Sequence, residues 1–222
     1  MGIVERRERE KSERRKKIID CARELILTQG IQRVRMEGIA KKAELSKATV
    51  YFYFGSKEIL LQEVCEEAAR NFLEYFKPLL ETSLTGIAAL KCFWRGYIKL
   101  FGNTNEMIVI FQVRSFLNSW LPIISLDKKI KSPYVNAILK SMETIIDQCK
   151  AEGVFDPNLD SAMAIRLLLS MFSVIVENAI RIPQKLKKSP LLISEMTNAF
   201  QILIRGFARE GIEHSRLDIT SA

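Results

Sequence analysis

Residues 46–58 read SKATVYFYFGSKE, four consecutive aromatics with a lysine on either side. Ammonium, hydroxyl and phenol groups at this density suit phosphate oxygens, whereas a phenyl ring can meet only an apolar feature. Other chemistry-bearing types are sparse. The single histidine, His214, lies in a polar stretch near the C-terminus and reads as a solvated residue. Cys21, Cys65, Cys92 and Cys149 are widely separated without C-x-x-C spacing, so they read as reduced thiols rather than disulfides or a zinc site. With one histidine and no Cys/His cluster, no metal site, cofactor or His-based triad is expected, and the chain is not expected to be an enzyme.

The formal net charge is +8 over 222 residues, and its placement matters more than its size. Residues 1–60 hold 15 of the 34 basic and 9 of the 26 acidic side chains, so most of the excess sits at one end. A basic end on a nearly neutral body points to an anionic partner held by the N-terminal part. Hydrophobic residues make up 48%, enough for a sizeable core. The longest apolar run, residues 167–176 between Arg166 and Glu177, is about half the length of a membrane span. The N-terminus opens on charge rather than an apolar leader, so a cytoplasmic protein without a membrane partner is expected.

The elements that must position the aromatic run are helical. Ile18, Ala22, Leu25 and Ile26 share one face of a first helix, which Gln29-Gly30 stops. A second fits Met36 to Ala43, with Met36, Ile39, Ala40 and Ala43 inward. Glu44-Leu45-Ser46 leaves only a tight turn, and Ser46 caps a third helix from Lys47 to about Phe54. Gly55 ends it, Ser56 caps again, and a fourth helix runs from Lys57 to about Phe76 with Pro78 just beyond. Two short helices across a three-residue turn form a helix-turn-helix. A buried strand is the other reading of a short aromatic run. At 100° per residue, however, Val50 and Phe54 face inward with Leu45 while Ala48 and Phe52 point away. Thr49 and Tyr51 flank them, and Lys47 and Tyr53 lie nearer the edges.

Residues 1–17, MGIVERREREKSERRKK, carry two readings: a solvated extension of the first helix with i,i+4 pairs, or a basic arm tracking a phosphate backbone. Beyond residue 80, helices are expected over 84–101, 105–119, 131–151, 159–181 and 191–209. The fold class is therefore all-α, with about nine helices. The expected organisation is a charged arm (1–13), a helix-turn-helix domain (14–60), a helical effector-binding and dimerisation domain (61–213) and a polar tail (214–222).

Over residues 14–64 the chain resembles the TetR-type transcriptional regulators. The resemblance is carried by IIDCAREL (18–25), Gln29-Gly30, MEGIAKKA (36–43), LSKATVYFYF (45–54) and SKEIL (56–60). It implies a homodimer that binds a palindromic double-stranded DNA operator, usually to repress, and that a small molecule releases. It carries DNA contacts to Arg35, Ser46, Lys47, Ala48, Thr49, Tyr51, Phe52, Tyr53 and Lys57. Four positions depart from the family pattern: Val34 replaces the usual threonine, Glu44 and Ala48 the usual glycines, and Tyr53 the frequent histidine. A left-handed Glu44 would cost roughly 1–2 kcal/mol. The rival class is a helical adaptor or membrane-surface protein; the latter needs an exposed amphipathic basic helix, and the apolar face of helix one is already committed.

In the C-terminal half, Phe93, Trp94 and Tyr97 sit at helical spacing, as do Met107, Phe111 and Arg114, and then Phe172 and Asn178. Each aromatic alone reads first as ordinary core. Tyr97, Arg114 and Asn178 among them need partners if buried, which raises the reading of an effector pocket for an apolar or aromatic molecule. The 159–181 helix is apolar nearly all round and so is buried on two sides. Ala162, Ile165, Leu169 and Val176 there, with Met196, Phe200, Leu203 and Phe207 in the last helix, are the expected dimer interface.

Overall fold

The computed structural model describes residues 2–81, 85–103, 105–117, 132–179 and 189–219. Nine α-helices are described: α1 (Ile3–Gln29), α2 (Met36–Ala43), α3 (Lys47–Phe54), α4 (Lys57–Glu81), α5 (Gly86–Asn103), α6 (Glu106–Phe116), α7 (Pro133–Ala151), α8 (Ser161–Ala179) and α9 (Pro190–Gly206). Extended pairing among the described residues is limited to one isolated bridge, Phe155 to Ala208. No described helix is long and apolar enough to cross a membrane.

Local chemistry sets the helix ends. The charged arm is helical and continuous with α1, whose first turn closes as the Gly2 N–H donates to Glu5 at 3.0 Å. Arg6–Glu10 and Arg9–Glu13 pairs support it at i,i+4 spacing. Glu44 is the one described non-glycine residue with positive φ (59°), so the strained turn expected between α2 and α3 is present. Leu45 N–H to the Ala40 carbonyl (2.9 Å) and Lys17 to Glu44 (3.1 Å) help hold it. Ser46 caps α3 by accepting the Thr49 N–H at 3.0 Å, and Gly55 (φ 69°) ends it.

Two boundaries differ from the expected ones. α4 does not stop before Pro78 but runs through it to Glu81. The proline falls in the last turn, where a lost i→i−4 bond disturbs little downstream helix. The segment after α9 is no free polar tail: Leu217 and Ile219 are buried, and Gln201 donates to the Leu217 carbonyl (2.9 Å) and accepts the Ile219 N–H (3.0 Å). The His214 side chain lies outside the described residues.

The helix-turn-helix core gathers Ile18, Ala22, Ile26, Ile39, Val50 and Phe54. It continues without a break into the larger core along α4. There Phe72, Phe76 and Phe93 pack with tilted rings, centroids 4.4 and 4.9 Å apart for successive pairs. Gly86 begins α5 against the end of α7. A Cβ there would lie 2.6 Å from the Cys149 nitrogen, and the Gly86 N–H instead meets the Glu152 carboxylate at 3.0 Å.

Candidate nucleic-acid interface

α3 divides as its periodicity requires. Val50 and Phe54 are buried, Ser46, Lys47, Ala48 and Tyr51 are exposed, and Phe52 is 79% exposed. Thr49 and Tyr53 are half-buried at the edges. Leaving a phenyl ring in water forfeits roughly 1.5–3 kcal/mol of burial. A ring so placed, edge-on to Tyr53 at 5.7 Å, suits an external surface.

The polar groups on this face are held in place. Ser46 and Thr49 hydroxyls lie 2.7 Å apart. Lys47 forms an ion pair with Glu37 from the first turn of α2, and its ammonium lies 5.8 Å from the Tyr51 ring centre. That hydrogen bond holds the Glu37 carboxyl below its ordinary range and Lys47 above. Glu37 was not among the sequence-derived contacts; its place in the first turn of α2, ten residues before Lys47, was the available signal.

Arg35 is exposed at the start of α2. Lys57 is half-buried, its ammonium 4.4 Å from the centre of the Phe116 ring at the end of α6. Burial lowers its pKa and the nearby Arg35 charge adds to the shift, against Glu58.

Phe116 is one of three ties between α6 and the helix-turn-helix. Glu106 pairs with Arg23 of α1 and accepts from Asn71 of α4 at 3.3 Å. Gln112 accepts the Ile31 N–H, beyond the end of α1, at 3.0 Å. Residues 106–114 are buried without exception, Glu106, Gln112 and Arg114 included.

The opposite side of α6 borders an apolar cavity of about 50 Å³ enclosed by α4, α5, α6, α7 and α8. Phe93, Met107, Phe111, Arg114 and Phe172 line it. Arg114 is the charged residue of that lining, and it bonds the Cys65 thiol close to Glu66. Burial pushes that thiol up to about 12. Trp94 and Tyr97 are instead packed in a ring stack, Trp94 on Phe200 at 4.4 Å and Tyr97 on Phe172 at 4.3 Å. The Asn178 and Val176 side chains lie outside the described residues.

The residues expected at a dimer interface differ in burial. Ile165, Met196, Phe200 and Phe207 are buried within the protomer's own core, and Leu169 is half-buried and lines the cavity. Ala162 and Leu203 are half-buried. Among the described residues of these two helices, the exposed large apolar ones are Met163, Leu167 and Val174 on α8, with Leu191 and Ile202 on α9. At helical spacing each set falls within an arc of about 40°.

The model for bacterial regulatory proteins of the tetR family matches residues 18–64. That match supports a TetR-type regulator. It is similar to the Fatty acid metabolism regulator protein of Bacillus subtilis, 25% identical over 69% of this chain and 75% of that protein. It is likewise similar to the HTH-type transcriptional regulator UidR of Escherichia coli, 26% identical over 71% and 76% of the two chains. The solved FadR regulator of Bacillus subtilis, in complex with stearoyl-CoA, superposes with a TM-score of 0.63 over 89% of this chain and 98% of that one, at 18% identity. That last likeness is one of fold. Together with these relatives the match supports a DNA-binding transcriptional regulator, and α3 is the second helix of its helix-turn-helix.

Proposed function

We propose that the protein is a cytoplasmic homodimeric repressor, without chemistry of its own, that binds a palindromic operator and is released by a small, largely apolar effector. The observation that carries the reading is the outward face of α3, with Phe52 exposed beside Lys47, Tyr51 and Tyr53 while Val50 and Phe54 anchor the helix from behind. Phe52 has no hydrogen-bonding group, so it reads a base by apolar contact, and the thymine C5-methyl is the feature the major groove offers. Arg35, Lys47, Tyr51, Tyr53 and Lys57 position the helix on phosphates, with Ser46, Ala48 and Thr49 at close approach. The helical adaptor and membrane-surface readings are not favoured, since the relatives are transcriptional regulators.

Dimerisation uses the apolar stripes of α8 and α9 led by Met163, Leu167 and Ile202, which with their symmetry mates make a four-helix interface. Release follows from α6. The cavity is far below the roughly 300–1,000 Å³ of a ligand site, so an effector must part its walls. α6 is a wall that is also tied to Ile31, Arg23 and Lys57, so opening the cavity displaces the helix-turn-helix. Aromatic and aliphatic walls with one arginine suit a long apolar molecule carrying at most one anionic group at the cavity; the FadR relative likewise holds a ligand with a long acyl chain, stearoyl-CoA, whose several phosphates exceed what this lining could pair.

Selection of bound duplexes from a random-sequence library tests this. It should enrich an inverted repeat with half-site centres about 34–36 Å apart, or a multiple of that. The protein should sediment at about twice 25.5 kDa. No enriched repeat, or a monomer at micromolar concentration, contradicts the reading.

A further inference from the structure

α1 continues well past the domain it helps to build. Arg15 is the junction: its guanidinium donates to the Tyr53 carbonyl at 3.3 Å, lies 4.6 Å from the Phe54 ring centre and pairs with Glu63 of α4. The C-terminal end of α3 is thus pinned to α1 at that residue. N-terminal to it the helix runs from Arg14 back to Ile3, about 18 Å at 1.5 Å per residue.

The cations on this projection fall into two sets. Arg6 and Arg9 pair with Glu10 and Glu13 at 2.9 and 3.3 Å. Arg7, Lys11 and Arg14 are all exposed, and none of the ion pairs found among the described residues involves them. Their i, i+4, i+7 spacing puts them within an arc of about 60° on one face; the nearest glutamate of the arm, Glu10, lies about 40° beyond the edge of that arc and is paired with Arg6. Continued along α1, the same face carries Ile18 and Ala22 into the helix-turn-helix core. The stripe therefore lies on the inward side of α1, the side on which α2 packs and near which Arg15 meets the end of α3. Its charge is complementary to one occupant, the polyanionic backbone of a duplex already seated on α3.

We infer that Arg7, Lys11 and Arg14 form a second DNA-contacting surface, which grips the phosphate backbone flanking each half-site without reading sequence. The inference rests on the operator-binding reading and extends it outward along the duplex. It also separates two kinds of arginine in one arm: Arg6 and Arg9 stabilise the helix, and the stripe binds.

The test measures the affinity of the full-length protein for random-sequence duplexes across a salt series, since phosphate contacts carry no sequence information. Each phosphate neutralised contributes about 0.9 to the slope of log K against log salt. The triple variant Arg7→Gln/Lys11→Gln/Arg14→Gln should therefore lower the slope by roughly 2.5 for each arm engaged. Glutamine is a comparable helix former, so helicity should hold, as circular dichroism will show. Arg6→Gln/Arg9→Gln controls for lost net charge and should change the slope by less than about one. Trimming the duplex to the segment covered by the helix-turn-helix should bring wild type and triple variant together. A triple variant that keeps the wild-type slope overturns this inference alone, as does a control variant that loses as much per charge. A wild type that binds no duplex overturns the operator reading and this inference together.

Discussion

α3 and α6 are both short helices rich in aromatic and aliphatic residues, yet they are built in opposite ways. α3 buries only Val50 and Phe54 and gives most of its remaining surface to the outside. α6 buries every residue from Glu106 to Arg114, polar ones included. A helix with two unlike faces works at a surface. A helix with no free face works between bodies, and here those bodies are the helix-turn-helix and the cavity. The polar residues differ accordingly: Lys47 and Tyr51 stand in water, whereas Glu106 and Gln112 reach across to Arg23 and Ile31.

The same contrast explains how much the sequence reveals. In α3 the boundary between wet and dry writes a period into the sequence, so Phe52 and Phe54 could be told apart two residues from each other. In α6 burial on all sides leaves no period. The partners of Glu106 and Gln112 also lie 83 and 81 residues away, so these ties were missed. Five of the expected cavity residues do line one cavity, because helical spacing groups residues that share a face. The expected dimer residues show the limit of that logic. Spacing marks Ile165 and Met163 alike as apolar but does not say whether the protomer or a second copy covers them. The one strained backbone position, Glu44, was legible because a three-residue turn leaves few alternatives.

The largest effect should separate the two helices by stability. Phe111→Ala in α6, at a site 3% exposed, should destabilise by about 3–5 kcal/mol, whereas Phe52→Ala should stay within about 0.5 kcal/mol. Urea unfolding of the two variants checks this, and similar midpoints would break the contrast.

Gln112→Leu sharpens the tie at α6. It keeps side-chain bulk but leaves the buried Ile31 N–H without its acceptor, at about 1–3 kcal/mol. It should also loosen the coupling between effector and DNA, read as a smaller effector-induced drop in DNA affinity relative to wild type.

A smaller effect tests how dry the α6 environment is. Burial pushes the Cys65 thiol, which faces Arg114, up to about 12 from an ordinary 9.0. The unfolded chain then releases this proton first as pH rises, so stability from this group is full below about 9 and declines above it. At pH 8 Cys65 should resist alkylation until the protein unfolds, because the thiolate is the reactive form. Rapid native labelling of Cys65 would show that α4 and α6 are not sealed against water.

The central claim is that the exposed face of α3 reads DNA sequence. Phe52→Ala tests it most directly when affinity is measured side by side on the selected operator and on random duplex. The expected result is a loss of about 1–3 kcal/mol on the operator with little change on random duplex, because base contacts specify and phosphate contacts only position. Equal losses on both duplexes, or no loss on either, would contradict it.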